Sequence, residues 1–212
     1  MISIKSEYNQ DNIMAKDWEL AYKKKDTPWD KGMASPALKS WIEDKEISGN
    51  ALVPGCGVGH DVRLLSRNKL SVTGIDISNT AIEIAKSLTN NNNVKYVNDN
   101  FFHYASRENN KFNWVFEHTF FCAIEKSLRE DYVKGLRNLL EPKGQFLAIF
   151  FINSGCIYEG DSDDNGPPFK TCENTILNLF DPHFTIIESY IPKKHYQCRP
   201  HGSEILFHMC LK

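Results

Sequence analysis

The chain has 212 residues, 41% hydrophobic and 25% charged, with a formal net charge of −2. That length supports one good-sized core and excludes two ordinary domains, and the composition is that of a globular chain. The longest basic run is Lys23, Lys24 and Lys25, which argues against nucleic acid as the main partner, and no apolar run approaches the ~18 residues of a membrane span.

In chain order, Met14, Trp18, Ala21 and Tyr22 recur at helical spacing and predict an N-terminal helix across the carboxyl edge of the sheet. Apolar runs follow at 51–53, ending in Pro54-Gly55, and at 72–75, 94–97, 112–116 and 146–152. Unbroken apolar strands fit a sheet covered on both faces, as parallel sheets are. Between them, Ile77, Ala81, Ile84, Ala85 and Leu88 share a helical face that Ser78 can cap. Leu128, Tyr132, Leu136, Leu139 and Leu140 form a second stripe, stopped by Pro142 and Gly144. Ile176, Leu177 and Phe180 suggest a shorter helix before Pro182, and 184–191 and 204–211 read as two closing strands. This succession predicts one doubly wound α/β domain with an antiparallel element at its C-terminal end.

Six cysteines occur, none at CxxC spacing, which points to a reducing, cytoplasmic compartment; the N-terminus lacks the apolar stretch of a signal peptide. The run Asp161-x-Asp163-x-Asn165-Gly166 begins like a calcium loop. Its twelfth position is Cys172 instead of Glu, however, and Pro167-Pro168 interrupt it. His195, Cys198 and His201 lack ligand spacing, so no metal is expected.

The strongest local feature is Val53-Pro54-Gly55-Cys56-Gly57-Val58-Gly59 at the end of the first strand. Its glycines permit a sharp turn and close approach of a ligand, although a tight strand-to-helix turn would need them too. In an open α/β sheet, ligands sit outside the carboxyl ends of the strands. Asp76 ends the second strand, where a carboxylate either accepts from both hydroxyls of a ribose or caps a helix. Asp99-Asn100 ends the third, where an adenine edge would lie. Together these predict an adenosine-containing cofactor. The glycines run G-x-G-x-G, unlike the G-x-G-x-x-G of dinucleotide sites.

The sequence resembles the thiopurine methyltransferase superfamily, and most nearly its thiol and halide methyltransferase branch. The matching stretches are Thr27-Pro28-Trp29-Asp30-Lys31-Gly32, Ala51-Leu52-Val53-Pro54-Gly55-Cys56-Gly57-Val58-Gly59-His60-Asp61-Val62, Gly74-Ile75-Asp76-Ile77-Ser78, and Phe120-Phe121-Cys122-Ala123-Ile124 with Arg129 shortly after. Gly166-Pro167-Pro168-Phe169 is a looser match, and the likeness runs from about Trp18 to the C-terminus. It implies a Rossmann-like class I methyltransferase domain over residues 1–212, with 1–45 as an N-terminal lid, and S-adenosylmethionine as cofactor. Trp18 and Trp29, with Tyr22 between them, would close over that cofactor. The turn at Gly55 and Gly57 would meet its methionine part, Asp76 its ribose, and Asp99 and Asn100 its adenine; His118 would lie beside it. Tyr22 stands where some relatives carry Trp, and Glu117 where they commonly have Asp.

The implied acceptor is a small, soft nucleophile: a thiol, hydrosulfide or halide. Glu117 and His118 are the candidate bases, and Phe120 and Phe121 would form a dry wall around the acceptor. Arg199, between the closing strands, could face an anionic acceptor. A thiol of pKa ~8.5 is already a few per cent thiolate at pH 7, and a halide needs no base. Two other readings are a nitrogen or oxygen methyltransferase of a biosynthetic intermediate, and a non-catalytic cofactor-binding protein. In each reading the partner is a small molecule, with neither nucleic acid nor membrane.

Overall fold

The computed structural model describes residues 16–43, 45–152, 166–169 and 171–212. Met14 of the expected N-terminal stripe, and Asp161, Asp163 and Asn165 of the calcium-like run, lie outside the described residues. Two short helices, α1 (Trp18–Lys24) and α2 (Pro36–Ile42), precede the first strand. The strands are β1 (Gly49–Pro54), β2 (Leu70–Asp76), β3 (Val94–Asn98), β4 (Phe112–His118), β5 (Leu140–Phe151), β6 (Phe184–Tyr190) and β7 (Glu204–Leu211). Helices α3 (His60–Ser66), α4 (Asn79–Ser87), α5 (Phe101–Arg107), α6 (Arg129–Leu139) and α7 (Glu173–Phe180) join successive strands up to β6. The sheet order is β3-β2-β1-β4-β5-β7-β6, with only β7 antiparallel to its neighbours. This is the doubly wound α/β sheet with its antiparallel end. Among the described residues no helix is long and apolar enough to cross a membrane.

Strand alternation divides the core in two. Along β5, Phe146, Ala148 and Phe150 pack towards Tyr132 and Leu136 of α6 and Phe180 of α7. Leu147 and Ile149 face the other way, onto Leu38 and Trp41 of α2 and Val62 and Leu65 of α3. Each such side chain contributes ~1.5–3 kcal/mol on burial, so both faces must be covered for the sheet to hold. Chain order reverses between β1 and β4, and that switch point opens a crevice at the strands' carboxyl ends.

Several local expectations need correction. Helix α4 buries Ala81, Ile82 and Ala85, while Ile77, Ile84 and Leu88 are exposed. The helix is phased on Ser78, whose Oγ accepts from Ala81 N, so Ile82 takes the inward place. Leu140 belongs to β5, which runs through Pro142 and Gly144; a register slip between the Phe112 and Trp114 rungs absorbs them. Apolar spacing does not predict helices α2 and α5. Each is only seven residues long, but each has a legible start: Ser35 with Pro36 for α2, and Asn100 for α5.

The first helix is clipped to the sheet through Glu19. Its carboxylate accepts from Ser78 Oγ (2.7 Å), Thr80 N (3.0 Å) and Thr80 Oγ1 (2.7 Å) at the start of α4. This places Trp18 and Tyr22 at the crevice.

Candidate active site

After Pro54 the chain turns through Gly55 and Gly57, at φ 58° and 53°. Side chains rarely adopt that region. A Cβ at Gly55 would stand 2.5 Å from Phe120 Cδ2, and one at Gly57 2.7 Å from Tyr22 Oη. Bare backbone therefore lies between two aromatic side chains. Asp76 closes the turn from the end of β2: its Oδ2 accepts from Gly57 N (2.8 Å) and its Oδ1 from Ser78 N (2.9 Å). Burial pushes its carboxyl up to about 6, while those amides pull the other way. A carboxylate offers roughly four acceptor sites, so capacity for hydroxyl donors remains.

A cavity of about 460 Å³ opens at this edge of the sheet, within the usual range for small-ligand sites. Asp99 and Asn100 line it from the end of β3. Asp99 Oδ1 accepts from Asn100 N (2.8 Å) and its Oδ2 pairs with Arg107, while Asn100 Oδ1 caps α5 at Phe102 N (2.8 Å). Trp18 and Trp29 meet edge-on, 5.0 Å between centroids, and Trp29 Nε1 donates to the Tyr22 hydroxyl at 3.1 Å. The Lys16 ammonium lies 4.3 Å from the Trp29 ring centroid, so this corner accommodates a cation.

The inner wall is an ionic network centred on His118. Its Nδ1 faces Asp61 Oδ2 and its Nε2 faces Glu204 Oε1, each at 3.3 Å. Burial alone would depress this imidazole, but hydrogen bonds to the two carboxylates outweigh it and raise the ring to about 9. The two carboxylates favour the protonated ring, and Arg199 Nη1 also lies 3.3 Å from Nε2, so both ring nitrogens are taken up by protein groups. Tyr196 stacks on its ring at 5.8 Å and donates its hydroxyl to Met33 O (2.9 Å). Arg199 lines the cavity, pairs through Nη1 with Glu204 and lies between the rings of Tyr196 and Phe151.

Two expected site residues are absent from the cavity wall. Glu117 is 2% exposed and points beneath the loop after β4, where its Oε1 accepts from Phe120 N (2.8 Å) and Phe121 N (2.9 Å). Burial pushes its carboxyl up to about 7. Strand alternation explains the difference: Glu117 follows the inward-facing side of β4, and only its neighbour His118 reaches the cavity. Phe121 is likewise core, packed on Phe150 and Tyr132, whereas Phe120 lines the cavity. The sequence reading missed Asp61, Tyr196 and Glu204 as partners of His118. Asp61 stands in the first helical turn after the glycines, a placement that could have drawn notice; the other two lie far along the chain and gave no local signal.

The donor set suits S-adenosylmethionine. Acceptors at the ends of β2 and β3 match a ribose and an adenine, the bare turn admits an amino-acid moiety, and the tryptophan corner tolerates a positive charge. Sheet order and site together define a Rossmann-like class I methyltransferase that uses S-adenosylmethionine. The family model for thiopurine S-methyltransferase matches residues 13–197. The chain belongs to that family. It is 34% identical over 170 residues to thiocyanate methyltransferase 1 of Brassica oleracea, covering 78% of this chain and 71% of the relative. It is also 34% identical over 158 residues to a probable thiol methyltransferase 2 of Arabidopsis thaliana, covering 72% of this chain and 66% of the relative. Among solved structures, 1,6-didemethyltoxoflavin-N1-methyltransferase of Burkholderia thailandensis shares the fold. Its TM-score is 0.68 at 15% identity, over 91% of this chain and 84% of that one.

Proposed function

We propose that the chain methylates a small, soft nucleophile, a thiol, hydrosulfide or halide. The observation that carries this reading is the inner wall: both ring nitrogens of His118 are engaged by protein groups, Nδ1 by Asp61 and Nε2 by Glu204 and Arg199, so neither is turned towards an acceptor as a base. An alcohol of pKa ~15 would depend on strong general-base help, worth typically 10²–10⁴-fold, whereas a thiol needs little and a halide none. Phe120, Ile124 and Phe151 supply an apolar lining that favours an easily desolvated acceptor. Of the three cysteines that line the cavity, Cys56 and Cys122 do not compete. Burial drives Cys56 far up and Cys122 to about 12, so both stay protonated. The relatives' names, thiocyanate and thiol methyltransferase, agree with this acceptor class.

In this reading Asp76 and Asp99 hold the nucleoside, the glycine turn holds the amino-acid end, and Trp18, Tyr22 and Trp29 cover the site. When bound, S-adenosylmethionine supplies a methyl group on a positively charged sulfur and leaves as a neutral thioether. The main contribution of the residues is alignment, which can supply up to ~7–11 kcal/mol. The test is purified protein with labelled S-adenosylmethionine and a panel of iodide, thiocyanate, hydrosulfide, thiols, amines and phenols. Turnover is expected with the soft acceptors. Activity confined to an amine or phenol overturns the reading in favour of a nitrogen or oxygen methyltransferase.

The N-terminal segment acts as a lid in this scheme. Glu19 clips α1 to α4, and Tyr196 holds Met33, but α1 adds only Ala21 and Tyr22 as buried residues. Amide hydrogen exchange across 18–33 is expected to slow when S-adenosylhomocysteine binds. Equal protection with and without that ligand would make α1 a permanently packed element.

A further inference from the structure

Four aspartates line the cavity, and three have both carboxylate oxygens occupied. Asp61 accepts from Ser35 N at Oδ1 (2.8 Å) and faces His118 at Oδ2. Asp76 is held by two amides, and Asp99 by Asn100 N and Arg107. Asp30 differs. Its Oδ1 accepts from Gly32 N (2.8 Å) and meets His60 Nε2 (3.0 Å), while its Oδ2 has no protein partner among the described residues.

The groups behind Asp30 fix its orientation. Arg63 Nη2 lies 3.1 Å from His60 Nδ1, and its Nη1 donates to Val58 O at 2.6 Å. A guanidinium only donates, so this contact makes Nδ1 the acceptor and leaves the Nε2 proton to face Asp30 Oδ1. That proton is donated to Asp30 Oδ1. The carboxylate is thus anchored through one oxygen, and Asp30 lines the cavity next to Trp29.

We propose that Asp30 is the proton acceptor for thiol substrates. The proposal rests on the thiol reading above. In the step, the acceptor's S–H bond breaks as an Oδ2–H bond forms on Asp30. The freed electron pair on the acceptor sulfur makes the new bond to the methyl carbon. The pair of the breaking carbon–sulfur bond stays with the cofactor sulfur, which becomes a neutral thioether, and Asp30 then returns its proton to water. A carboxylate is a sufficient base for a thiol of pKa ~8.5 and a poor one for an alcohol near ~15, which matches the proposed acceptor class. The ionisable groups facing Asp30 are His60 with Arg63 behind it on α3, Tyr22 on α1, Tyr196 between β6 and β7, and Lys31 next in the chain.

The experiment compares Asp30→Asn with the unaltered chain in three measurements: methylation of a small alkyl thiol, methylation of iodide, and calorimetric binding of S-adenosylhomocysteine. The thiol rate at pH 7 should fall by up to about 30-fold, the limit set by a few per cent of pre-formed thiolate. The deficit should close as pH rises through the thiol's own pKa. Iodide turnover and S-adenosylhomocysteine affinity should not change, and that affinity also reports that the variant is folded. An unchanged thiol rate overturns the proposal. So does a joint loss of iodide turnover or of S-adenosylhomocysteine binding, which would make Asp30 a cofactor-holding residue. If the unaltered chain methylates neither thiol nor iodide, the acceptor reading itself fails, and the proposal with it.

Discussion

Asp76→Ala is expected to weaken S-adenosylhomocysteine binding by at least ten-fold, and by about a hundred-fold if both ribose hydrogen bonds are lost, while the chain stays folded. The variant removes a buried carboxylate that receives Gly57 N and Ser78 N and has acceptor capacity left for a ligand. Charge-assisted hydrogen bonds contribute ~1.5–3 kcal/mol, which corresponds to that range of affinity. The same variant leaves two amides without their acceptor, at ~1–3 kcal/mol each if no water replaces it. A domain with a stability of ~5–15 kcal/mol tolerates that at moderate temperature. Calorimetry with S-adenosylhomocysteine, beside a thermal melt, separates the two effects. Undiminished affinity in a folded variant would mean that the ribose is held elsewhere.

Glu117→Gln should lower thiol and iodide methylation together and also destabilise the fold. Glu117 Oε1 accepts both Phe120 N and Phe121 N, and its Oε2 is buried without a partner among the described residues. Glutamine keeps one acceptor oxygen but brings an amide group whose two donors have no visible acceptor there, a burial penalty of ~1–3 kcal/mol or more. The loop after β4 should shift, and with it Phe120, which packs against the bare backbone of Gly55. Because that disturbance precedes any proton transfer, the acceptor's protonation state should not matter. Measuring both rates at saturating cofactor checks this. A loss confined to the thiol would restore Glu117 as a base and count against Asp30.

How much of this was legible in the sequence follows from how each part is built. The glycine turn and Asp76 could be placed at the cavity because a sharp turn at a strand end needs particular residues at fixed local positions. The strands could be read because burial on both faces demands long apolar runs. Helices α2 and α5 are hard to read because seven residues barely define a period and a cap alone does not prove a helix. The phase of α4 was misjudged because Ile84 and Leu88 satisfy helical spacing as well as Ile82 does. Of the adjacent pair Glu117 and His118, sequence could not say which faces the ligand. That depends on the direction in which β4 enters the sheet, a tertiary property. The partners of His118 come from α3, the start of β7 and the connection before it, so only folding brings them together. Asp30 stood in a recognisable stretch, but that its Oδ1 is held by Gly32 and His60 while its Oδ2 has no partner among the described residues depends on how α3 packs against it.

The reversed direction of β7 has a practical consequence. The parallel strands β1–β4 bring their carboxyl ends to the cavity, whereas β7 brings its amino end, with Glu204 paired to Phe151 beside Arg199. Its other end is therefore carried to the far rim of the sheet, where Lys212 N donates to His183 O at 3.1 Å. A support, dye or fusion partner attached through Lys212 would hang from the rim opposite the cavity mouth. Molecules immobilised by that end would all turn their binding face to the solution.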